Sequence, residues 1–481
     1  MIFNSWIFVL FFGVFLWLWY TLPFRLKRPM ALAASYLFYG WWDWRFLGLL
    51  FLTTFIDFKI GQLMDRTTAD KARKRLLIYS LVSNLSILGF FKYFNFFVAS
   101  LHELLTNMGL EVAFTTLNIV LPVGISFYTF QSLSYTIDVY RRDLKATNSL
   151  WEFALFVTLF PQLVAGPIER ATHLLPQVQN PKVPSRKMIW EGITLLLIGY
   201  FQKVAIADNL APKVDEIFQL ASNSYWPSFV GWFSLYSTAI FFALQIYCDF
   251  SGYSSIARGA GLLFGFRFME NFNQPYFSTN ITEFWRRWHI SLSQWLRDYL
   301  YIPLGGNRHG TYMTYRNLII TMLLGGLWHG ANWTYVVWGG LHGIALAVHK
   351  FALENLKFFR FSSFRSSKVG KFLGMIITFH LVLLAWVYFR SPDISTANRI
   401  LRGIFSFRGG FGNFSVQTTL DLAWYLTLIL AVDIPQRYFK DHSFILHLKP
   451  AFRGLIWGAM FVIIILMGSS DDQAPFIYFQ F

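Results

Sequence analysis

The stretch Leu324-Leu-Gly-Gly-Leu-Trp-His-Gly-Ala-Asn-Trp333 lies inside a long apolar run and carries one ionisable residue, His329, near its centre. An ionisable residue within a membrane segment is costly and is often functional. The glycines of this stretch remove side-chain bulk, so the backbone can bend there or approach a ligand closely. A lone buried histidine is nevertheless more often a hydrogen-bonded structural residue. A function for His329 therefore needs support from the rest of the sequence.

The composition is that of a helical membrane protein. Of the 481 residues, 55% are hydrophobic and 14% are charged, whereas soluble domains carry about 25% charged residues. Apolar runs of about twenty residues, the length that crosses the hydrocarbon core, recur along the chain, and the short alternating strands of a membrane barrel are absent. We therefore predict an all-α, polytopic membrane protein with about eleven to thirteen membrane segments, some of them short or re-entrant.

Several other classes of protein are excluded by simple features. The first apolar run, 2–22, has neither a basic start nor a small-residue cleavage site, so we interpret it as a retained span. The only cysteine, Cys248, excludes an internal disulfide and a cysteine metal cluster. The net charge of +16 is better explained by basic loops beside anionic lipid than by nucleic-acid binding. Motifs such as GxSxG, HExxH and the P-loop are absent.

The loop charges predict the topology. Lysine and arginine are frequent in 59–75 and 141–150, whereas 102–116 has neither. The positive-inside rule places the first two loops in the cytoplasm and the third outside. Alternation of the spans then places both termini outside.

No internal repeat or soluble domain is visible, so we predict one membrane domain over 1–481. It would comprise N-terminal spans in 1–110, a core with the site motifs in 117–350 and C-terminal spans in 351–481. Prolines and a glycine in 153–168 are expected to break a helix there. The polar stretch that begins at Asp249 leaves only a short apolar run after it, so 240–268 is expected to be re-entrant or tilted.

A second informative stretch is Glu283-Phe-Trp-Arg-Arg-Trp-His-Ile-Ser-Leu-Ser-Gln-Trp-Leu-Arg-Asp298. If it is a single helix, it has two faces: an apolar stripe of Trp285, Trp288, Leu292 and Trp295, and a polar stripe of Arg286, His289, Ser293 and Arg297. Such a helix lies either at the membrane interface, with its cations near lipid phosphates, or along a water-filled cavity. A histidine among the cations favours the cavity.

Other histidines are weaker candidates. On a continuous helix His342 would point about 140° away from His329, so we predict that it supports the site or is structural, unless Gly339-Gly340 bends the helix. His380 is predicted to be a hydrogen-bonded packing residue. A metal site needs three or four converging ligands, and only a forced arrangement of His289, His329 and Asp249 would supply them, so no metal is predicted.

Several motifs, in the same order, resemble the membrane-bound O-acyltransferase family, and within it the bacterial branch that O-acetylates alginate. They are the stretches 122–131, 160–168, 249–253, 285–306, 327–333 and 476–479. In that family the histidine of the Trp-His-Gly motif is catalytic, which implies this role for His329. A second polar residue about forty positions upstream is His, Asn or Asp in different branches, and here it is His289.

The residues suit this chemistry. Transfer of an acetyl group from a thioester to a hydroxyl needs a base, and neutral imidazole, with a reference pKa of about 6.5, can serve. His289, or a backbone N–H freed by the glycines, would polarise the thioester carbonyl. Three arginines could hold coenzyme A phosphates or an anionic polymer, or equally lipid headgroups: Arg286, Arg287 and Arg297. Four further residues are predicted to line the same cavity: Asp249, Ser293, Trp328 and Asn332.

The resemblance implies an O-acetyltransferase of the bacterial inner membrane. It would take acetyl from cytoplasmic acetyl-CoA, with no bound cofactor, and a periplasmic SGNH-type partner would complete transfer to an exported, alginate-type polysaccharide. Peptidoglycan O-acetylation and D-alanylation of teichoic acid are alternatives within the family. A transporter or lipid flippase would also explain broken helices and buried polar residues. We further expect His289 and His329 to lie within about 15 Å of each other, close enough to contact one reacting group, near mid-membrane at a constriction open to both sides.

Overall fold

A computed structural model describes residues 1–110, 112, 115–164, 166–223, 230–356, 365, 367–408, 416–468 and 476–477. In these ranges every regular element is helical, and no residue lies in a strand. The prediction of an all-α fold is therefore confirmed. The chain forms two compact units, one made of 1–192 and 260–269 and the other of 193–259 and 270–481.

The first unit contains nine named helices. These are α1 (Trp6–Thr21), α2 (Phe24–Gly40), α3 (Leu47–Arg66), α4 (Asp70–Leu88), α5 (Phe94–Asn107), α6 (Ile125–Arg141), α7 (Leu150–Thr158), α8 (Phe160–Leu163) and α9 (Ala171–Gln179). The predicted break within 153–168 is confirmed, because α7 ends at Thr158 and α8 begins at Phe160.

The remaining helices belong wholly or mostly to the second unit. They are α10 (Arg186–Tyr200), α11 (Asp208–Ser222), α12 (Trp232–Leu263), α13 (Ile281–Arg287), α14 (Ile290–Leu296), α15 (Gly310–His329), α16 (Trp333–Asn355), α17 (Lys368–Arg390), α18 (Ile394–Ser406), α19 (Val416–Phe439) and α20 (Pro450–Met467). Both histidine motifs are therefore carried by this unit.

Eight helical segments in the described ranges are long and apolar enough to cross a membrane. They are Trp44–Arg66, Asp70–Asn107, Arg186–Ser222, Trp232–Leu263, Trp333–Asn355, Lys368–Arg390, Gln417–Phe439 and Pro450–Met467. The shorter apolar helix Trp6–Thr21 adds to this set. These helices agree with the multi-pass membrane protein that the composition predicted.

A buried carboxylate ties three helices of the first unit together. Asp57 on α3 accepts hydrogen bonds from Ser80 (2.7 Å) and Asn84 (2.8 Å) on α4, and from the Ser132 hydroxyl on α6. A buried polar group is stable only when it is hydrogen-bonded. The hydrogen bonds from α4 and α6 therefore explain how a carboxylate can be buried at Asp57, and they give it a structural role.

Helix continuity differs from the sequence pattern in two stretches. Of the two expectations for 240–268, re-entrant or tilted, the re-entrant one is wrong, because α12 runs unbroken from Trp232 to Leu263. Conversely, the long apolar run around His329 is not one helix, since α15 ends at His329 and α16 begins at Trp333. The polar residues of α12 do not interrupt it, because polar side chains inside a protein can be hydrogen-bonded. Helix α15, in contrast, ends where Gly330 adopts an extended conformation.

Glycines allow α15 and α16 to pack closely as an antiparallel hairpin. A Cβ atom added to Gly326 would lie 2.2 Å from the carbonyl oxygen of Tyr335, and one added to Gly339 would lie 2.2 Å from that of Met322. Small residues that let backbones approach are typical of helix contacts in membranes. The hairpin therefore fixes the position of His329 relative to the start of α16.

We predict that Gly326→Ala destabilises the protein by about 1–3 kcal/mol, the usual result of overpacking, because the new methyl group would meet a backbone oxygen. The matched control is Gly340→Ala in the same hairpin, where the nearest atom is a flexible Leu323 methyl at 3.4 Å. Thermal unfolding of the two purified variants measures the difference. Equal melting temperatures would show that the hairpin is looser than the structure indicates.

The topology predicted from loop charge is tested with two single cysteines, Thr68→Cys and Asn107→Cys, which are both exposed and flank the span Asp70–Asn107. The native Cys248 is buried, so it contributes little background. We expect an impermeant thiol reagent to label position 107 in spheroplasts and position 68 only after the membrane is opened. The reverse pattern would place both termini in the cytoplasm.

Candidate active site

His329 lies in a cage of aromatic rings at the end of α15. Its side chain is only 4% exposed. Three rings stand edge-on to it, with centroid distances of 5.1 Å to Trp328, 5.0 Å to Trp338 on α16 and 5.3 Å to Phe389 on α17. An apolar enclosure favours the uncharged form of a titratable group, so the cage suits a neutral imidazole.

The chain reverses directly after His329. Gly330 is extended, with φ −161°, and an added Cβ atom would lie 2.1 Å from the Tyr335 ring. Asn332 then caps α16, since its side chain accepts a hydrogen bond from the Thr334 backbone N–H (3.0 Å) and donates one to the Pro392 carbonyl (2.8 Å). Asn332, predicted to line the cavity, therefore holds the turn.

His289 occupies the break between α13 and α14. It is completely buried and has a left-handed backbone, with φ 42°, a conformation that costs of the order of 1–3 kcal/mol outside glycine. Backbone hydrogen bonds hold this break: Ile290 N–H donates to the Asn271 carbonyl, and Asn273 N–H donates to the Arg287 carbonyl, both at 2.9 Å. Such strained positions are concentrated at functional sites.

Asn271 fixes the orientation of His289. Its Oδ1 lies 3.0 Å from Nδ1 of His289 and also accepts from the Ser291 backbone N–H (3.3 Å) and hydroxyl (3.0 Å). A backbone N–H can only donate, so the atom at this position must be the amide oxygen. Nδ1 of His289 therefore carries the proton in this contact, and neutral His289 presents a lone pair at Nε2.

The two histidines face each other. Their ring centroids are 6.4 Å apart, and Trp328 contacts both rings, at 5.1 Å from His329 and 6.0 Å from His289. The expectation that the two histidines lie within about 15 Å of each other is confirmed. His329 is the last residue of α15, and its cage also involves α16 and the last turn of α17; its position near mid-membrane stays a prediction.

The predicted polar stripe of the stretch 283–298 does not form, because the break at His289 divides it into two helices. Arg286 and Arg297 are exposed, and Arg297 pairs with Asp298 at 2.6 Å. Arg287 pairs with Glu283 at 2.9 Å. The helical pattern had assumed a continuous helix, and the left-handed residue at its centre rotates the second half.

The hydrogen bonds of Ser293 also differ from those expected of a cavity-lining residue. Its hydroxyl donates to the carbonyl of Trp288 at 3.2 Å, and its backbone N–H donates to the carbonyl of His289 at 2.9 Å. Both contacts close the turn that follows the break. Ser293 therefore stabilises the conformation of His289 rather than lining a cavity by itself.

Asp249 has a structural role beside the site. It forms a buried ion pair with Lys203 (2.8 Å), which also pairs with Asp208 (2.6 Å). Its second oxygen accepts from the Ile477 backbone N–H at 2.7 Å. The next residue, Phe250, packs 4.7 Å from the His289 ring. Asp249 therefore anchors the wall of the site instead of contacting the histidines.

The two histidines predicted to be structural have that role. His342 accepts a hydrogen bond from the Trp285 indole N–H at 3.3 Å and lies 4.8 Å from the Trp338 ring. His380 lies 2.7 Å from the Tyr236 hydroxyl. The Trp338 ring therefore packs against both His329 and His342, and His342 helps to hold this ring of the cage in place.

A small polar cavity borders Asn271 on the side away from His289. Besides aromatic residues, it is lined by Gln202, Ser251, Ser254, Ser255, Arg258, Asn271, Gln436 and His442, and the Asn271 amide donates to Ser254 at 3.2 Å. Burial, followed by the charge of Arg258, lowers the pKa of His442 to about 4. The guanidinium of Arg258 is in turn paired with Glu270 at 3.1 Å.

Sequence reasoning missed Asn271, Trp338, Phe250 and Phe389. The signal for Asn271 was weak, because a polar residue between apolar runs normally indicates only a loop. The aromatic residues lie on long apolar helices, where sequence does not show which ring faces a distant histidine. These contacts depend on tertiary packing.

Comparison with known proteins agrees with the motifs. The model of the membrane-bound O-acyltransferase family (MBOAT) matches residues 36–389. A probable alginate O-acetylase AlgI of Pseudomonas putida is 42% identical, with 100% of both chains covered. One of Pseudomonas aeruginosa is 47% identical over 85% of this chain and 75% of its own. A peptidoglycan O-acetyltransferase of Helicobacter pylori is 37% identical over 80% of this chain and 75% of its own.

We predict that Asn271→Ala lowers acyl transfer by about tenfold to hundredfold, by analogy with the loss found when hydrogen-bond partners of metal-bound histidines are removed. Asn273→Ala is the matched control, because the contacts of Asn273 in this segment are made by its backbone. Activity in reconstituted membranes measures both variants.

Asn271→Asp separates orientation from simple loss of stability. The carboxylate keeps an acceptor for His289 but also stabilises its protonated form. Because neutral His289 is the acceptor form, we expect the acidic limb of the pH–activity profile to move to higher pH. An unchanged profile with reduced protein yield would mean that Asn271 only supports folding.

Proposed function

The chain belongs to the membrane-bound O-acyltransferase family, and we propose that it uses acetyl-CoA to O-acetylate an exported, alginate-type polysaccharide. That it is a membrane O-acyltransferase follows from its family and its relatives. The observation that carries the proposal is the buried pair His289 and His329, 6.4 Å apart in an aromatic cage. Donor, acceptor and partner are the proposed part.

His329 is assigned as the base. It takes the proton of the acceptor hydroxyl as the oxygen attacks the thioester carbonyl carbon. The carbon–sulfur bond then breaks, and the same proton passes from His329 to the departing thiolate, which leaves as free thiol. The imidazole is thereby returned to its neutral form, and no other reactant is needed.

The tautomer of His289 changes its expected role. With Nδ1–H donating to Asn271, neutral His289 has no proton at Nε2 with which to polarise the carbonyl. It can accept a hydrogen bond from a second hydroxyl or N–H of the acceptor molecule, and so hold the attacking hydroxyl near His329, which takes that hydroxyl's only proton. Branches with Asn or Asp at this position also offer an acceptor, so this role fits all three residue types. Carbonyl polarisation is left to a backbone N–H.

The identity of the acceptor rests on similarity. Identity to the two alginate O-acetylases is 42% and 47%, against 37% for the peptidoglycan O-acetyltransferase, so an alginate-type polymer is our first choice and peptidoglycan our second. D-alanylation of teichoic acid is a third. An exported polymer and a cytoplasmic donor also imply the inner membrane and a periplasmic SGNH-type partner that completes the transfer. A passage to His329 from each side is part of this proposal.

We predict that His329→Ala and His289→Ala fold normally but lose transfer of label from acetyl-CoA by about 100-fold or more, the size of a general-base contribution. The loss should be larger for His329. The measurement is transfer of radiolabelled acetyl in membranes that contain the partner and polymer, with thermal stability recorded in parallel.

His380→Ala is the control, because His380 lies on α17 outside the cage and hydrogen-bonds to Tyr236 on α12. It should retain activity. Near-normal acetylation by His329→Ala protein would disprove the catalytic assignment. Transfer of D-alanine from a carrier protein, without transfer from acetyl-CoA, would instead establish the third acceptor class.

A further inference from the structure

A large cavity in the first unit takes no part in the proposed reaction. Its volume is about 650 Å³, and its lining is mainly apolar. The walls come from α2, α3 and α7, and include Leu32, Tyr36, Phe51 and Leu155. A cavity of this size and character accommodates an elongated apolar group.

One end of this cavity is cationic. Arg25 and Arg28, both in the first turns of α2, lie on its rim. Arg28 pairs with Glu152 at 2.8 Å, which holds the beginnings of α2 and α7 together. Glu152 offsets the charge of one arginine, while Arg25 is exposed and adds a further positive charge.

Two helix N-termini meet at the same end. Helix α2 starts at Phe24 without a side-chain N-cap, whereas α7 starts at Leu150 and is capped by Ser149, whose hydroxyl accepts a hydrogen bond from the Glu152 backbone N–H at 3.4 Å. Both starts contribute residues to the cavity lining. Helix N-termini carry partial positive charge and bind anions such as phosphate. The uncapped start of α2 and Arg25 therefore make this end complementary to an anionic headgroup.

The cavity has the dimensions of one membrane leaflet. Along α2, its lining extends from Arg25 to Tyr36, eleven residues or roughly 16 Å of helix, about half of the 30 Å hydrocarbon thickness. Trp151, which is 71% exposed, lies on the rim beside the arginines, as tryptophans do at headgroup level.

We propose that this cavity binds one anionic phospholipid. Its phosphate would lie at Arg25 and the uncapped N-terminus of α2, and an acyl chain would lie along Leu32, Tyr36 and Leu155. The neighbouring loop 141–150 is basic, so the positive-inside rule assigns the lipid to the cytoplasmic leaflet, whose anionic surface attracts such residues. The proposal is independent of the acyl donor and acceptor.

Native mass spectrometry of the delipidated full-length protein tests this assignment. Phosphatidylglycerol and phosphatidylcholine with identical acyl chains are titrated separately, and we expect tighter binding of phosphatidylglycerol. Arg25→Gln should weaken its binding about fivefold, the contribution of one basic residue near an anionic lipid. Equal affinity for the two lipids would overturn the proposal.

Lys27→Gln is the matched control, because it removes the same charge from the same turn but from a side chain that lies over the Trp19 ring. It should leave phosphatidylglycerol binding unchanged. If Lys27→Gln and Arg25→Gln weaken binding equally, the effect is general surface charge, and the site is disproved.

Two further measurements examine the apolar wall. Ala33→Trp, which introduces a ring at a lining position, should reduce binding of phosphatidylglycerol by at least the same factor, and unchanged binding would contradict a lipid in this cavity. Glycerol phosphate, the headgroup without its chains, should not compete at concentrations where phosphatidylglycerol saturates. Competition at equal concentration would identify a site for a soluble phosphate instead.

Discussion

The close contact between α15 and α16 is the constraint on which the candidate active site depends. Gly326 and Gly339 bring the two backbones together at a distance that no side chain would allow. This contact forces the chain to reverse within three residues, and it thereby places Trp338 of the second helix against His329 of the first. In a membrane, helix association relies on such packing because lipid is as apolar as the side chains.

A second requirement follows from burying histidines in an aromatic cage. Each imidazole needs hydrogen-bond partners, and each must be held in one orientation to act in catalysis. For His289 both needs are met by Asn271, which also bonds to the backbone of the break through its own carbonyl. Asn271 thus orients the His289 ring, and it helps the Asn273–Arg287 bond and Ser293 to hold the strained backbone. This explains how a left-handed conformation can persist in a fully buried residue.

The motifs predicted much of this site but not its geometry. His329 and His289 could be identified from local sequence, because buried ionisable residues are rare in membrane segments. The break at His289 could not, since the spacing of tryptophans and polar residues satisfies a continuous helix equally well. The continuity of α12 was missed because Asp249 looked like a polar interruption of the helix. Its charge is paired with Lys203, a partner distant in sequence. In each case tertiary contacts overrode the local pattern.

The arginines show why residue type alone overestimates an anion site. The stretch 283–298 contains three of them, yet Arg287 pairs with Glu283 and Arg297 with Asp298, both within four residues. An exposed ion pair contributes little to stability, but it lowers the local field that an incoming phosphate would meet. Arg286, exposed and outside these pairs, is then the member of this group best placed to contact an anionic donor. Charge available to a ligand is what remains after neighbouring carboxylates have been counted, and that count can be made from sequence wherever the partners lie within one helical turn.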